Sequence, residues 1–352
     1  GYGLSSAPLM CGYQNIHKQL ERKIAEFHGT EEAILYPSGY HTNLGTFQAC
    51  FNKQDAIFSD TENHASIIDG IRLSKAKKFV YGHLDIAQLE EQLKAAQDYR
   101  FRVIVTEGIF SMEADILDLK AYVALAKKYN AMIYLDECHS VGVIGKTGRG
   151  CVEYSGVDPS EIHFISSTLG KAIGGGGGGY TTGKKAIIDF LRQTSRTFVF
   201  SNSLCSPIIG ASLKAFEILE SEAERVENLR INGLRFRTQM VSNGFTVYGA
   251  DDCPICPVFV RDSFYSRYFE SELMKKGFYT IGLLYPAIPL GKARLRIIVT
   301  AIHTHEQIDG LARAFKEIAD GCDFHEDMKN NTYLYKTQGH GQPTPLTIKS
   351  KL

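Results

Sequence analysis

The fold is decided by residues 132–139, which read Met132-Ile133-Tyr134-Leu135-Asp136-Glu137-Cys138-His139. An uninterrupted apolar run ends here in an aspartate, and a histidine follows three residues later. Short continuous apolar runs are typical of strands that are buried on both faces of a sheet. We therefore predict a strand that delivers Asp136 and His139 to one edge of a parallel sheet.

Two other apolar runs, one on each side of this stretch, end in the same way. Residues 103–105 lead into Glu107, and residues 163–165 lead into a polar segment that contains Lys171. In open α/β sheets, ligands bind beyond the carboxyl ends of the strands. The three runs therefore bring a carboxylate, an Asp/His pair and a lysine to one edge, where we predict a functional site.

Strand-like and helical stretches alternate from residue 14 to about residue 190, which indicates βαβ units around a mostly parallel sheet. A long helical stretch over residues 206–243 then leads to a second pattern with its own small sheet. We predict an α/β fold with a large domain around a mostly parallel central sheet and a smaller α+β C-terminal domain. The predicted parts are residues 1–213, whose N-terminal portion we expect to be missing, residues 214–321, and a polar, exposed C-terminal extension, residues 322–352.

The composition excludes several classes of protein. The 352 residues include 39 Lys plus Arg and 39 Asp plus Glu, so the formal net charge is zero. Nucleic-acid binding needs a basic surplus that this chain lacks. A hydrophobic share of 44% can bury a core, and no apolar run reaches the ~18 residues that span a bilayer. We therefore expect neither nucleic acid nor membrane as a partner.

The eight cysteines are scattered along the chain, which favours a reducing compartment, either the cytoplasm or the mitochondrial matrix. Only Cys253 and Cys256 are spaced as Cys-x-x-Cys, and no second ligand pair follows at a spacing that suits zinc. We predict that the protein binds no metal.

A run of six glycines, residues 174–179, follows Lys171. It matches the dinucleotide-binding pattern, but any glycine pattern fits such a run, and no early βαβ unit carries it. A surface loop would explain the glycines, as would a backbone that approaches a flat cofactor closely.

Lys171 is the central residue of the predicted site. Most lysines are solvated surface charges, but a lysine among buried groups can lose its proton and form a Schiff base. Pyridoxal phosphate needs such a lysine and a carboxylate for its pyridine nitrogen, for which Asp136 is the candidate. Its phosphate needs N–H groups at a helix start. Residues 36–40 supply one, although an ordinary helix cap explains them equally well.

An ordered set of segments carries a family resemblance. They are residues 11–14 (CGYQ), 63–70 (NHASIIDG), 106–112 (TEGIFSM), 136–139 (DECH), 167–171 (STLGK), 200–203 (FSNS) and 294–296 (RLR). Together they resemble the α-oxoamine synthases, which are pyridoxal phosphate enzymes of fold type I. The similarity runs from residue 1 to about residue 320. The chain departs from the family pattern at Pro8, where an arginine is usual, and at Tyr13, where a threonine is usual.

The resemblance implies a role for each matched residue. Lys171 and His64 are the implied catalytic residues: Lys171 binds the cofactor covalently, and His64 stacks on its ring and contacts the substrate. Arg296 is the implied anchor of the substrate carboxylate. The other implied residues contact the cofactor: Asp136 at the pyridine nitrogen, His139 at the phenolic oxygen, Ser111 near the ring, Gly39, Tyr40 and Thr168 at the phosphate, and Ser201 and Asn202 at the phosphate of the partner subunit's cofactor.

The resemblance also implies an activity, the condensation of glycine with acetyl-CoA to 2-amino-3-ketobutyrate and CoA, or the reverse cleavage in threonine degradation. It implies a homodimer with shared active sites and makes a threonine dehydrogenase a candidate partner. Synthases that make 8-amino-7-oxononanoate, 5-aminolevulinate or a sphingoid ketone are alternatives from the same family. A non-catalytic scaffold subunit and an aminotransferase of the same fold also stay open.

Overall fold

The computed structural model describes residues 2–330, together with the backbones of residues 335–336 and 344–345. The chain forms two compact units. The first consists of the chain up to Phe110 and of Ile116–Glu227, and the second consists of Ser111–Asp115 and of the chain from Asn228 onward. The division into domains between residues 213 and 214 stays a prediction.

Seven strands form the sheet of the first unit: β1 (Glu32–Tyr36), β2 (Ala56–Asp60), β3 (Lys77–Tyr81), β4 (Arg102–Glu107), β5 (Met132–Asp136), β6 (Phe164–Thr168) and β7 (Gly179–Gly183). Their spatial order is β1-β7-β6-β5-β4-β2-β3. Strands β2 to β6 pair with one another in parallel, whereas β7 runs antiparallel to both β1 and β6. The predicted α/β fold with a mostly parallel central sheet is confirmed.

Helix α1 (Asn15–His28) precedes the first strand. Between the strands lie α2 (Gly39–Cys50), α3 (Ala65–Ser74), α4 (Ile86–Ala95), α5 (Leu119–Lys128) and α6 (Cys151–Ser155), and α7 (Lys185–Thr194), α8 (Arg196–Val199) and α9 (Ser206–Ser221) follow the last strand. A π-helical turn, Pro8–Gly12, and a 3₁₀ turn, Pro159–Glu161, complete the set. At the start of α1 the Gln14 backbone N–H donates to Nδ1 of His17 at 3.2 Å, and the helix ends at Gly29, whose φ of 67° favours glycine.

The central strands are apolar on both faces because helices cover both faces. Every residue of β4 is buried. Val103 and Val105 belong to a cluster that includes Phe47 of α2 and Ile67 of α3. Ile104 points to the opposite face, since side chains alternate along a strand, and it too is fully buried. A strand enclosed in this way reads as an uninterrupted apolar run.

Strand β7 has no apolar pattern that would have indicated it. It reads Gly-Tyr-Thr-Thr-Gly, yet all five residues are buried. The hydroxyl groups of its threonines are satisfied inside the sheet region: Thr181 bonds the hydroxyl of Thr46 at 3.1 Å, and Thr182 donates to the Glu32 carbonyl at 2.9 Å. Buried polar groups with partners do not oppose folding, so a polar strand can lie between β1 and β6.

The second unit has a three-stranded antiparallel sheet in the order β8-β10-β9. Its elements are the part of α10 (Glu224–Ser242) from Asn228 onward, β8 (Ile255–Arg261), α11 (Ser263–Lys275), β9 (Ile281–Leu283), β10 (Ala293–Ile298), α12 (His305–Asp320) and α13 (Phe324–Lys329). Phe236, Phe269 and Phe315 are fully buried in its core. Val247 forms an isolated antiparallel bridge with Val258 of β8.

The first residues after Cys322 still pack against the second unit. Phe324 is buried in the core of that unit, and the Tyr265 hydroxyl donates to Asp327 at 2.6 Å. Residues 331–352 of the predicted extension lie outside the described residues, apart from the two short backbone segments already named. Across the described residues, we find no helix that combines the length and the apolar character needed to cross a membrane.

Candidate active site

The carboxyl ends of three neighbouring strands meet at one edge of the large sheet. Strand β4 ends at Glu107, β5 at Asp136 and β6 at Thr168. In the parallel register, Glu107 lies opposite Asp136, and Asp136 lies opposite Ser166. The apolar runs that we identified in the sequence thus end side by side.

Asp136 is held firmly at the centre of this edge. Its side chain is buried, and each carboxylate oxygen accepts one hydrogen bond. The Asn43 amide donates to Oδ2 at 2.8 Å, and the Cys138 backbone N–H donates to Oδ1 at 2.9 Å. A buried carboxylate with two donors has a defined orientation, so Asp136 can serve as a fixed negative partner for a cationic ligand group.

Lys171 and His139 come together from the loops that follow β6 and β5. The Lys171 amine, Nζ, lies 2.8 Å from Nε2 of His139. Lys171 is solvent-exposed, so the amine is accessible to a small molecule at the strand edge. An amine in contact with an imidazole is suited to proton transfer and to nucleophilic attack on a carbonyl group.

His64 caps the start of α3. Its Nδ1 accepts a hydrogen bond from the Ser66 backbone N–H at 3.2 Å and lies 2.7 Å from the Ser66 hydroxyl oxygen. Its own backbone N–H donates to Glu107 at 2.5 Å. Partial desolvation of the His64 ring lowers its pKa; the charge of Asp136 opposes this shift, and the charge of Lys171 adds to it. His64 therefore presents a neutral imidazole at neutral pH, which suits stacking on a flat ring.

The start of α2 offers backbone N–H groups next to the same edge. The side chain of Ser38 caps this helix by accepting from the His41 N–H at 3.3 Å. A Cβ atom placed on Gly39 would lie only 3.2 Å from Thr168 Cβ, so helix and strand end approach closely. The free N–H groups and the positive dipole end of such a helix favour a phosphate.

The glycine run supplies a second close approach. A Cβ atom on Gly179 would lie 2.5 Å from Thr42 Oγ1 and 2.6 Å from the Gly39 nitrogen. The residue before it, Gly178, forms a bridge with Ser38 and has a φ of 102°. The end of the run therefore allows β7 to pass the start of α2 without a side chain between them.

Three other predicted residues of the first unit are Tyr40, Ser201 and Asn202. Tyr40 is exposed, and its hydroxyl donates to Asp69 on α3 at 2.7 Å. Ser201 and Asn202 lie in the loop between α8 and α9, where Asn202 is exposed. Their predicted contacts with a phosphate, and with the partner subunit's cofactor, stay predictions.

The remaining two predicted residues, Ser111 and Arg296, belong to the second unit. Arg296 lies in β10, opposite Ile281 of β9 and Pro257 of β8. It is half-buried, and burial lowers its pKa. Together with Phe278, it lines a cleft of about 490 Å³ within that unit. The predicted roles of Ser111 and Arg296 stay predictions.

The structure adds two buried polar residues that we had not predicted, Asn43 and Glu137, and defines the surroundings of Glu107, the carboxylate that we expected at this edge. Asn43 lies in the middle of α2, where no motif or apolar period marks it. Burial and the neighbouring Asp136 raise the pKa of Glu107 well above its usual range. Glu137 accepts from the N–H groups of Cys151 and Val152 at 2.9 and 3.2 Å, and burial raises its pKa to about 7. In the sequence, these two glutamates are marked only by their position at or just after a strand end. Asp136 has the same position, so the sequence does not distinguish its role from those of Glu107 and Glu137.

The profile of the family described as aminotransferase class I and II matches residues 6–315. The mitochondrial 2-amino-3-ketobutyrate coenzyme A ligase of Mus musculus is 48% identical over 318 residues, which are 90% of this chain and 76% of that protein. The enzyme of the same name from Escherichia coli (strain K12) is 45% identical over 320 residues, 90% of this chain and 80% of that protein.

Related enzymes with other names are similar too. The 8-amino-7-oxononanoate synthase of Thermosipho melanesiensis is 42% identical over 318 residues, 90% of this chain and 81% of that protein. Among solved structures, Sphingomonas wittichii serine palmitoyltransferase has a TM-score of 0.87 at 29% identity, and the match covers 91% of this chain and 80% of that chain. The chain belongs to the aminotransferase class I and II family.

Proposed function

We propose that this protein is a pyridoxal phosphate-dependent glycine C-acetyltransferase, that is, a 2-amino-3-ketobutyrate CoA ligase. Glycine and acetyl-CoA combine to 2-amino-3-ketobutyrate and CoA, and the reverse cleavage completes threonine degradation. The observation that carries the proposal is the contact of Lys171 with His139 beside the fixed carboxylate of Asp136. The relatives at 45–48% identity favour this reaction over others that the same site could support.

The residues at the strand edge fit the cofactor. Pyridoxal phosphate has an aldehyde, a pyridine nitrogen and a phosphate, and each needs a different partner. The exposed Lys171 amine suits the aldehyde, and the doubly hydrogen-bonded Asp136 suits the ring nitrogen. The start of α2 at Gly39, against which Thr168 packs, suits the phosphate. When bound, the cofactor stores the electrons of the carbanion that forms from glycine.

The roles of the individual side chains extend this proposal. Lys171 removes a proton from the glycine α-carbon as a general base, which is worth about 10²–10⁴-fold in rate. His64 packs on the ring, and His139 orients the phenolic oxygen. Arg296 binds the glycine carboxylate through its planar guanidinium. Ser111 supports the ring region, while Tyr40, Ser201 and Asn202 contact phosphate groups.

We include the assembly and location in this proposal. The enzyme is a homodimer whose subunits share active sites, and Ser201 and Asn202 reach the phosphate of the partner subunit's cofactor. It resides in the cytoplasm or the mitochondrial matrix, and a threonine dehydrogenase supplies its substrate in the cleavage direction. The relatives include a mitochondrial protein of Mus musculus and a bacterial one.

The relative named 8-amino-7-oxononanoate synthase, at 42% identity, favours one second candidate, a synthase that also releases carbon dioxide. An assay decides between the two. The purified enzyme is mixed with glycine, alanine or serine and with acyl-CoAs of several lengths, and thiol release is followed. We expect the highest kcat/KM for glycine with acetyl-CoA and no carbon dioxide. A preference for alanine with a long dicarboxylic acyl-CoA would overturn the proposal.

A further inference from the structure

Asn43 is a fully buried amide that uses its entire hydrogen-bonding capacity. Its Nδ2 donates to Asp136 Oδ2 and to Ser66 Oγ, both at 2.8 Å. Its Oδ1 accepts from the Tyr134 hydroxyl at 2.6 Å and from the Ser166 hydroxyl at 3.1 Å. An amide has two donor hydrogens and two acceptor lone pairs, so no capacity is left over.

The charge of Asp136 determines which atoms of this network donate and which accept. An ionised carboxylate only accepts hydrogen bonds, so the amide must present its nitrogen to Asp136 and its oxygen to Tyr134 and Ser166. A flipped amide would place two acceptors face to face at 2.8 Å. The orientation of Asn43 is therefore determined by chemistry as well as by shape.

The second amide hydrogen reaches His64 through Ser66. Because Ser66 Oγ accepts from Asn43, its own hydrogen is free to bond His64 Nδ1, which lies 2.7 Å away. The Ser66 backbone N–H also points at Nδ1. Two donors aimed at Nδ1 hold it unprotonated, so the proton of the neutral ring is on Nε2.

We propose that Asn43 is the positioning residue of this site, holding the Asp136 carboxylate with one N–H and, through Ser66, the tautomer of His64 with the other. The inference rests on the proposed function, because we expect Asp136 to contact the nitrogen of the cofactor ring and His64 to stack on the ring's π-surface. Because Asn43 is buried and its amide is fully bonded within the protein, it acts through Asp136 and Ser66. Tyr134 and Ser166 fix it from the sheet side.

The test compares Asn43→Asp with a matched control, Thr46→Val. Both residues are buried in α2, and both variants lose hydrogen bonds to the sheet region, but Thr46 bonds Thr181 and does not contact Asp136. In Asn43→Asp, two carboxyl groups face each other and share a proton, so Asp136 ceases to be a fixed negative partner. Asn43→Ser, which is smaller and neutral, is the second variant in case the aspartate prevents folding.

The readouts are the dissociation constant for pyridoxal phosphate by equilibrium dialysis and the visible absorption of the bound cofactor across pH. We expect Asn43→Asp and Asn43→Ser to weaken cofactor binding by roughly 10- to 100-fold, the range for losing a hydrogen bond to a charged group. We also expect their visible band to change its pH dependence. Thr46→Val should stay within about twofold of the unmutated protein and keep its spectrum, as expected for a hydrogen bond remote from the charged group.

The outcomes separate the two proposals. If the unmutated protein binds no pyridoxal phosphate, the proposed function fails, and the role of Asn43 fails with it. If the unmutated protein binds the cofactor and the Asn43 variants match Thr46→Val in affinity and spectrum, only the role of Asn43 is overturned. A further readout is the ¹⁵N NMR spectrum of the apo-protein labelled with ¹⁵N-histidine. In Ser66→Ala the backbone N–H still points at Nδ1, so the Nε2–H fraction of His64 should fall without vanishing; an unchanged fraction contradicts the relay through Ser66.

Discussion

The Lys171 side-chain nitrogen lies 2.8 Å from Nε2 of His139, although 32 residues separate them in the chain. Each residue follows a strand of the parallel sheet, and the two strands, β6 and β5, are neighbours. The hydrogen bond ties the amine to the loop that follows Asp136, the last residue of β5. A nucleophile, a proton carrier and a fixed anion are thus positioned by one pair of strands.

Replacement of Lys171 tests the covalent attachment. In Lys171→Ala we expect no cofactor peptide after borohydride reduction and a loss of turnover of about 10²–10⁴-fold, the usual contribution of a general base. Peptide mapping by mass spectrometry checks the first result, and thiol release checks the second. The control is Lys185→Ala, which removes only a surface lysine paired with Asp189. A labelled peptide from another lysine would contradict the assignment.

Asp136→Asn keeps the size of the side chain and removes its charge. An ion pair at ~4 Å with an effective dielectric constant of ~20 is worth about 4 kcal/mol, so we expect kcat/KM to fall roughly a thousandfold. Steady-state kinetics with saturating cofactor measure this effect. If the activity stays within tenfold of the unmutated enzyme, Asp136 is not the partner of the ring nitrogen.

Arg296→Ala should affect glycine binding selectively. Loss of a charge-assisted pair of hydrogen bonds costs roughly 3 kcal/mol, so we expect about a hundredfold lower kcat/KM for glycine. The KM for acetyl-CoA should change little. Arg313→Ala removes an exposed arginine of the same unit and serves as the control. Equal effects on both substrates would show that Arg296 does not bind the carboxylate.

Gly179→Ala tests the close approach of β7 to the start of α2. The new Cβ would lie 2.5 Å from Thr42 Oγ1 and 2.6 Å from the Gly39 backbone nitrogen. Overpacking of this kind costs about 1–3 kcal/mol, which urea unfolding can measure. In Gly176→Ala, the nearest atom is 3.6 Å away, on Ile208, and the stability should hardly change. Weaker cofactor binding in Gly179→Ala alone would show that the approach also shapes the phosphate site.

The stability of the protein should depend on His28 in acid. His28 is buried and bonds the Tyr180 hydroxyl at 2.9 Å, and burial lowers its pKa to about 3, with the charge of Arg149 adding to the shift. The unfolded chain binds a proton near pH 6.5, but the native state does not. The contribution of neutral His28 to the free energy of unfolding is therefore fully present above pH 6.5, and it is lost progressively as the pH is lowered from 6.5 towards 3.

Between pH 7.5 and pH 5, we expect this residue to account for a loss of about 2 kcal/mol in the free energy of unfolding. Urea titrations at both pH values measure the loss, and His28→Gln should remove this part of the pH dependence. The same slope in His28→Gln as in the unmutated protein would show that another group is responsible.

The sequence was sufficient to predict the elements that obey a local rule. The stretch that forms α1 has a helical pattern, β5 is an uninterrupted apolar run, and Asp136, His139 and Lys171 lie within six residues of the end of an apolar run. Strand β7 could not be predicted in this way, because its buried threonines are satisfied by residues from distant parts of the chain.

The amino-acid order alone determined the alternation of strands and helices and the chemical groups at the strand ends, since both depend on neighbours along the chain. Only the tertiary structure decided that Asn43 reaches Asp136, 93 residues away, and that Gly179 passes beside Gly39. These contacts depend on the order in which the strands pack and on how each buried polar group finds a partner. That order results from the packing of the whole first unit, and no local pattern encodes it.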